Sequence, residues 1–424
     1  MTTPSTAVGR VLRSLLAWCL LAPAALLAAG CSGGPGERTL VVLGPWTGGE
    51  EKPFTTVLAR IGERTGVRYA YEGTRSLRET LVAQLRSDAP PDVAILNGLG
   101  ELAEYARDGT ASPLPEGLAA TATGPWAQRI TLADDLGQLR QHVYGIPVRV
   151  DLKSIVWSRS NGEGRWCLGM ASGPVSGWPG TDWIEDLLLQ SQGPEVYEAW
   201  ATGSLEWTDD RVRRAWHLWR DLLTARGGKP GPAALSTPFD GEDGRGLLNS
   251  GDCDREHQGS FIRRHYGDDV LPAPTSTVVP GLPDGGGAFE VSGDLAAVFA
   301  PGDAAWRLLR ELVSPTTRAD WARAAKAAER PFFADGTAGP GPRTRATEAV
   351  VGLFTEARLL CFDASDAMPP TLRGAFQRAV LEFLQAPGDG ALLDRLLRQL
   401  EAERLLQQEA GAFALDHLCG RIRR

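Results

Sequence analysis

The chain has 424 residues, more than one hydrophobic core usually supports, so its length points to two α/β-sized lobes. Its 44 Lys and Arg against 52 Asp and Glu give a net charge of −8. Nothing in it offers the basic face that a phosphate backbone needs, which argues against nucleic acid as a partner.

Residues 1–30 read as an export signal. Arg10 and Arg13 precede a nearly unbroken apolar run from Leu15 to Ala29, too short to span a bilayer comfortably. The run ends Leu27-Ala28-Ala29-Gly30-Cys31, which resembles a bacterial lipobox; the resemblance implies cleavage before Cys31 and diacylglycerol on its sulfur. Residues 31–38, with Ser32-Gly33-Gly34-Pro35-Gly36 after the cysteine, then serve as a flexible tether. Cys167, Cys253, Cys361 and Cys419 remain, an even number suited to disulfides outside the cytosol. Four cysteines allow three pairings, and all three stay open. With no C-x-x-C spacing and five His in the chain, a structural zinc is not expected, and no cofactor is predicted.

The first mature segment alternates strand and helix. Strand 39–43 leads into a helix opening at Pro53, with Phe54, Val57, Leu58 and Ile61 on one face and Gly66 past its end. Strand 67–71 precedes Ser76-x-x-Glu79, a capping box for a helix striped by Leu77, Leu81 and Leu85. Strand 92–96 precedes a helix carrying Leu99, Leu102, Ala103 and Ala106. This is a βαβαβ half of a doubly wound sheet, whose ligands bind outside the carboxyl ends of the strands. Here those ends are Gly44–Glu50, Glu72-Gly73-Thr74 and Asn97-Gly98.

Beyond Tyr144 the pattern changes. A crossover between lobes is expected at 145–150 and another near Phe289-Glu290-Val291. Between them lie a loop holding Gly173 to Trp183, a helix from about Ile184, a helix over 206–223 containing Trp216 and Trp219, a Gly/Pro-rich excursion over 227–250, and a strand over 258–262. Helices follow at 306–312 and 316–327, then two amphipathic helices over 373–407 separated by Pro387 to Gly390.

The glycines of Gly44-Pro-Trp-Thr-Gly-Gly-Glu50 suggest a phosphate loop, but no Lys follows them and Glu50-Glu51 would repel phosphate. What remains is Trp46 on a strand-end loop beside carboxylates, a combination that packs an aromatic face on a sugar ring and hydrogen-bonds its hydroxyls. The chain has 13 Trp against 6 Tyr, with Trp46, Trp126, Trp166 and Trp178 in expected loops, and Trp178-Pro-Gly-Thr-Asp182-Trp183 offers two aromatic planes and an acid. No H-E-x-x-H, G-x-S-x-G or EF-hand pattern occurs.

Taken together, Leu43 to Glu51, Glu72-Gly-Thr, Pro90 to Leu96, Leu102 to Ala106, Tyr144 to Val148, Leu152 to Trp157, Ser176 to Glu185, His257 to Ile262, Glu290 to Asp294 and Phe362 to Pro369 carry a family likeness over most of the mature chain. It resembles the extracellular solute-binding lipoproteins of ABC importers, carbohydrate-binding family 1, in an actinobacterial subgroup associated with α-glucosides. The resemblance implies an α/β, two-lobed periplasmic-binding-protein-like fold (type II) with a hinge. It implies a carbohydrate ligand, permease subunits as partners, a monomer on the outer face of the membrane, and no chemistry at the site. Lobe 1 is expected over 39–147 and 289–332, lobe 2 over 148–288 and 333–408, and a solvated tail over 409–424. By motif position the site comprises Trp46, Glu50, Glu72 and Asn97 from the first lobe, with Arg149, Trp178, Asp182, Gln258 and Glu290 from the hinge or second lobe. The alternatives are a glycoside-processing enzyme of the cell envelope and a ligand-sensing lipoprotein.

Overall fold

The computed structural model describes residues 39–134, 136–159, 164–225, 232–283 and 287–422. The signal, the tether, Cys31 and part of the 227–250 excursion lie outside the described residues.

The first lobe is built as its periodicity predicts. Strands β1 (Leu40–Gly44), β2 (Tyr69–Gly73) and β3 (Val93–Leu96) are parallel, with β1 between the other two. Helices α1 (Lys52–Thr65), α2 (Leu77–Arg86) and α3 (Leu99–Arg107) connect and follow them, and short α4 (Glu116–Ala119) comes next. Strand alternation sends Val42, Val93 and Ile95 into a core shared with Phe54, Val57, Leu58 and Ile61, and Leu43, Ala94 and Leu96 into the opposite core. Burial on both faces is what a parallel sheet requires. Gly66 ends α1 at φ 71°, a left-handed conformation that favours glycine. Ser76 precedes α2, but its side chain makes no capping bond, so the expected capping box is not formed.

After the hairpin β4 (Ile130–Ala133) and β5 (Leu139–His142), strand β6 (Gly145–Leu152) runs antiparallel to the long β10 (Ala288–Val298). These two strands join the lobes. One end of β10 pairs with β3, and its other end pairs in parallel with β11 (Leu359–Phe362). The β6/β10 register shifts between Asp294 and Leu295, a bulge where the sheet passes from one lobe to the other. Residues 288–291 make the pairing with β11.

The second lobe holds a small sheet, β8 (Arg255–His257), β7 (Ile155–Arg159) and β9 (Val270–Pro274), in that order. Around it lie α5 (Trp178–Gln192), α6 (Pro194–Ala201), α7 (Asp210–Thr224), α8 (Pro232–Ser236) and α9 (Thr275–Val278). Helices α10 (Asp303–Leu312) and α11 (Pro315–Ala324) return to the first lobe and cover α1. The chain finishes with α12 (Arg345–Glu356), α13 (Ala364–Ala367), α14 (Pro370–Gln385), α15 (Gly390–Glu409) and the edge strand β12 (Cys419–Gly420). Trp200, Trp207, Trp216 and Trp219 pack with Phe376 and Phe383 at centroid distances of 4.8–6.0 Å, so much of the tryptophan content is core.

Three local expectations are corrected. The helix expected near Ile184 begins at Trp178, because Pro179 suits a first turn and left-handed Gly177 turns the chain into it. The strand expected over 258–262 is instead β8 followed by a tight helical turn at Ser260–His265. The end of the chain is not a solvated tail: Leu415 and Leu418 are buried and β12 pairs with β11. Of the three disulfide pairings left open, the structure has Cys167–Cys253 and Cys361–Cys419, the second stapling β12 to β11.

Candidate functional site

Two sets of charged side chains lie where the lobes meet. The first surrounds Glu50, on the loop after β1. Its Oε1 is 3.1 Å from Arg149 Nη1 on β6 and 3.0 Å from Arg264 Nη1 in the second lobe. Arg149 Nε donates to Asp294 Oδ2 at 2.6 Å, beside the β10 bulge. Burial opposes ionisation of Glu50, but the two guanidiniums outweigh it and bring its carboxyl down to about 2.

Trp46 does not form the expected sugar platform. It is 2% exposed, held edge-on by Phe54 at 4.8 Å and Trp321 at 5.6 Å and stacked on Tyr71 at 6.0 Å. Its backbone N–H donates to the Tyr71 hydroxyl at 2.8 Å, and Arg149 lies 4.8 Å over its ring. Three aromatic neighbours hold this Trp inside the lobe, where it supports Arg149 from behind, while its buried Nε1–H finds no hydrogen-bond partner among the described residues. Trp126 is likewise core, at 1% exposure.

The second set surrounds Lys153, the residue after β6. Its backbone N–H donates to the Glu290 carbonyl, and its Nζ lies 2.9 Å from Asp182 Oδ2 and 3.8 Å from Glu290 Oε1, and in contact with Asp363. Glu185 Oε2 accepts from the backbone N–H groups of Ala364 and Ser365 at 2.8 and 3.1 Å. Asp363 caps α13 by accepting from Asp366 N at 2.8 Å, and Asp366 Oδ1 meets Arg373 Nη1 at 3.1 Å. Arg373 Nη2 reaches Glu101 Oε2 on α3 of the first lobe at 3.5 Å.

This second set is unevenly charged. Burial pushes the Lys153 ammonium's pKa down, but Asp182, Asp363 and Glu290 outweigh it and hold the ammonium charged. Burial raises the Asp182 carboxyl to about 6, with Lys153 opposing; burial and neighbouring Asp363 raise Asp366 to about 8. Burial pushes both Glu185 and Glu290 well up, reinforced at Glu185 by Asp363 and Asp182 and at Glu290 by Glu185 and Asp363, and neither Glu290 oxygen receives a hydrogen bond. Oxygens of Asp182, Glu290 and Asp363 lie within 4.8 Å of one another, close enough for a metal ion. Lys153 reaches all three, so the chain brings its own cation to that position.

Beside this set stands an aromatic edge. Trp178 is half-buried, with Phe239 at 5.1 Å and Phe261 at 6.0 Å, and Lys153 Nζ lies 5.8 Å from its ring centroid. Because α5 starts at Trp178, Asp182 sits one turn along on the same helical face. Together they offer a ring face with charge-bearing hydrogen-bond groups beneath it.

The structure thus brings Trp178, Asp182 and Glu290 into one set and Glu50 and Arg149 into another. Of the other four expected residues, Trp46 packs behind Arg149 as described, and Glu72, Asn97 and Gln258 lie in neither set. Glu72 is exposed and accepts a hydrogen bond from Gln84 on α2 at 3.3 Å. Gln258 is buried, its carbonyl accepting from Trp157 Nε1 and its side chain accepting from Gly259 N, so it braces the backbone. Asn97 is exposed at the turn into α3, one residue before Gly98. Lys153, Asp363, Asp366, Arg373, Arg264, Phe239 and Phe261 also line these sets, and their sequence positions did not single them out. A signal existed for Lys153, since a lysine between two apolar strand runs is rarely buried unless paired.

No family model matches the chain. Two curated relatives do: the "Osmoprotective compounds-binding protein GgtB" of Synechocystis sp., 27% identical and covering 87% of this chain and 94% of the relative, and the "Alpha-glucosides-binding periplasmic protein AglE" of Rhizobium meliloti, 29% identical over 82% and 83%. Among solved structures, the bacterial solute receptor AcbH superposes with a TM-score of 0.68 at 12% identity, covering 88% of this chain and 99% of that one. A "Chitin oligosaccharide binding protein" gives 0.66 at 16%, over 89% and 99%. The fold is the two-lobed α/β fold of solute-binding proteins.

Proposed function

We propose that this chain is the substrate-binding component of an ABC import system, capturing a carbohydrate between its lobes and delivering it to a membrane permease. Both curated relatives are named as binding proteins, one for osmoprotective compounds and one for α-glucosides, and they cover 87% and 82% of the chain. The observation that carries the reading here is the half-buried Trp178–Phe239–Phe261 edge beside the Lys153–carboxylate set. A ring face packs on the apolar face of a sugar, and the charged groups exchange hydrogen bonds with its hydroxyls. The ligand class is an α-glucoside or a related oligosaccharide.

The protein binds without chemical turnover and works as a monomer. Cys31 carries the lipid anchor at the outer face of the cell membrane, with β6 and β10 as the hinge strands between a lobe of 39–147 with 289–332 and a lobe of 148–288 with 333–408. Among the described residues no helix is long and apolar enough to cross a membrane. Titration calorimetry with a library of α-glucosides and oligosaccharides tests the reading. Binding of at least one member with no product formed supports it; hydrolysis of the ligand, or no heat across the library, overturns it.

A further inference from the structure

The aromatic edge is assembled from separate segments. Trp178 opens α5, while Phe239 comes from the Gly/Pro-rich excursion, just past α8. Both rings are half-buried, and they meet at 5.1 Å and 61°, a corner rather than a stack. Phe261, in the helical turn after β8, stands 6.3 Å from Phe239 and completes the group.

One strip of backbone, residues 165–171, holds the excursion at both ends. Its first half pairs with the exit. The Arg165 carbonyl accepts from the N–H groups of Asp254 and Arg255 at 3.0 and 3.1 Å, the Cys167 N–H donates to the Arg255 carbonyl at 2.7 Å, and the Cys167–Cys253 disulfide lies beside these bonds. Its second half pairs with the entry. The N–H groups of Met170 and Ala171 donate to the carbonyls of Ala234 and Thr237, each at 2.9 Å, and the Phe239 N–H donates to the Ala171 carbonyl at 3.1 Å. A Cβ at Gly169 would stand only 2.4 Å from the Pro238 carbonyl oxygen, and Gly169 has no left-handed φ, so close backbone approach is what calls for glycine there. The Met170 carbonyl also accepts from the Gly177 N–H at 2.9 Å, which ties the strip to the residue before Trp178.

The two disulfides therefore do different work. Cys361–Cys419 joins paired strands of a sheet, whereas Cys167–Cys253 joins the strip to the excursion that carries Phe239. Segments outside regular sheets are prone to local opening, and a covalent tie opposes it. We propose that the 165–171 strip, stapled by Cys167–Cys253, positions Phe239 against Trp178 and so makes this disulfide a determinant of sugar affinity. The inference rests on the Trp178 edge being the sugar site, but the positioning is measurable without ligand. Phe239 supplies the second wall of the aromatic corner, and the strip and its staple act only through it.

The test pairs amide hydrogen exchange on the ligand-free chain with titration calorimetry, using a member of the α-glucoside and oligosaccharide library that wild type binds. Gly169→Ala and, separately, Cys167→Ser with Cys253→Ser are expected to speed exchange at the Met170, Ala171 and Phe239 amides about tenfold or more, leaving the β1 and β3 amides as in wild type. Each is expected to weaken sugar binding about fivefold, as is Phe239→Ala, and neither to weaken it further once Phe239→Ala is present. Phe239→Tyr, which keeps the ring, is expected to bind as wild type does. The two variants break the strip by different means, so if one fails to fold the other decides. Unchanged exchange, exchange raised equally in β1 and β3, undiminished affinity in Phe239→Ala, or losses that add to that of Phe239→Ala would each overturn the positioning role. Failure of every sugar to bind wild type would instead overturn the transport reading, and the exchange measurement would still decide whether the strip holds Phe239.

Discussion

The two charged sets at the lobe boundary differ in their balance of charge. Around Glu50 two acids, Glu50 and Asp294, meet Arg149 and Arg264, with exposed Arg75 4.0 Å from Glu50. Around Lys153, Asp182, Glu185, Glu290, Asp363 and Asp366 face one lysine, with Arg373 only at the edge. Balance keeps Glu50 ionised down to about pH 2, so that set acts as a permanent strut. Imbalance leaves the second set holding protons that leave as pH rises, and its charge depends on what lies against it.

The largest expected effect comes from removing the lone cation of the unbalanced set. Lys153→Met leaves several buried carboxyls without their counter-charge, and a loss of about 3–5 kcal/mol is expected by chemical denaturation. An unaltered midpoint would mean that the acids are neutral throughout and that the two sets do not differ as described. Trp46→Ala removes the packing behind Arg149 and empties a buried site, which should cost about 3 kcal/mol in the same assay. A stable variant with weakened sugar binding would instead return Trp46 to the role expected from its sequence position.

A smaller effect separates the sets by pH. Folding raises the Asp366 carboxyl from 3.8 to about 8, so the folded state binds its proton more tightly than the unfolded state. The stability this provides is complete below pH 3.8 and is lost as pH rises toward 8. Asp366→Asn should therefore flatten the decline of melting temperature between those limits. Glu50 has the opposite sign: its contribution is present above 4.5 and lost as pH falls toward 2, so Glu50→Gln should flatten only the acid limb. The smallest effect is expected at Glu72, which belongs to neither set: Glu72→Gln should change stability by less than about 0.5 kcal/mol and leave sugar binding unaltered.

Much of the first lobe was legible because its signals are local. Apolar residues at helical spacing placed α1, and short apolar runs placed β1 and β3, with Phe54, Val57, Leu58 and Ile61 all buried. The crossing strands were legible at 145–150 and 289–291, where strand-like runs follow turn-rich links. The site was legible only in part. Asp182 and Glu290, named from their sequence positions, lie in the Lys153 set, but Lys153 and Asp363 come together from segments 210 residues apart, a proximity no local pattern encodes. Trp46 misled because a strand-end aromatic has the same sequence context whether it faces the cleft or packs behind it. Its burial is decided by Trp321, far along the chain on α11. The C-terminal segment was misread because its anchorage is the Cys361–Cys419 bridge and the pairing of β12 with β11, both long-range.

The central claim is that the sugar rests against Trp178 beside the Lys153 set. Calorimetric titration of wild type and Trp178→Ala with the same bound α-glucoside or oligosaccharide tests it most directly, because Trp178 is only half-buried and its removal should leave the fold intact. The account predicts at least about tenfold weaker binding, roughly 1.4 kcal/mol, with an unchanged melting temperature. Undiminished affinity in the variant would place the ligand elsewhere and contradict it.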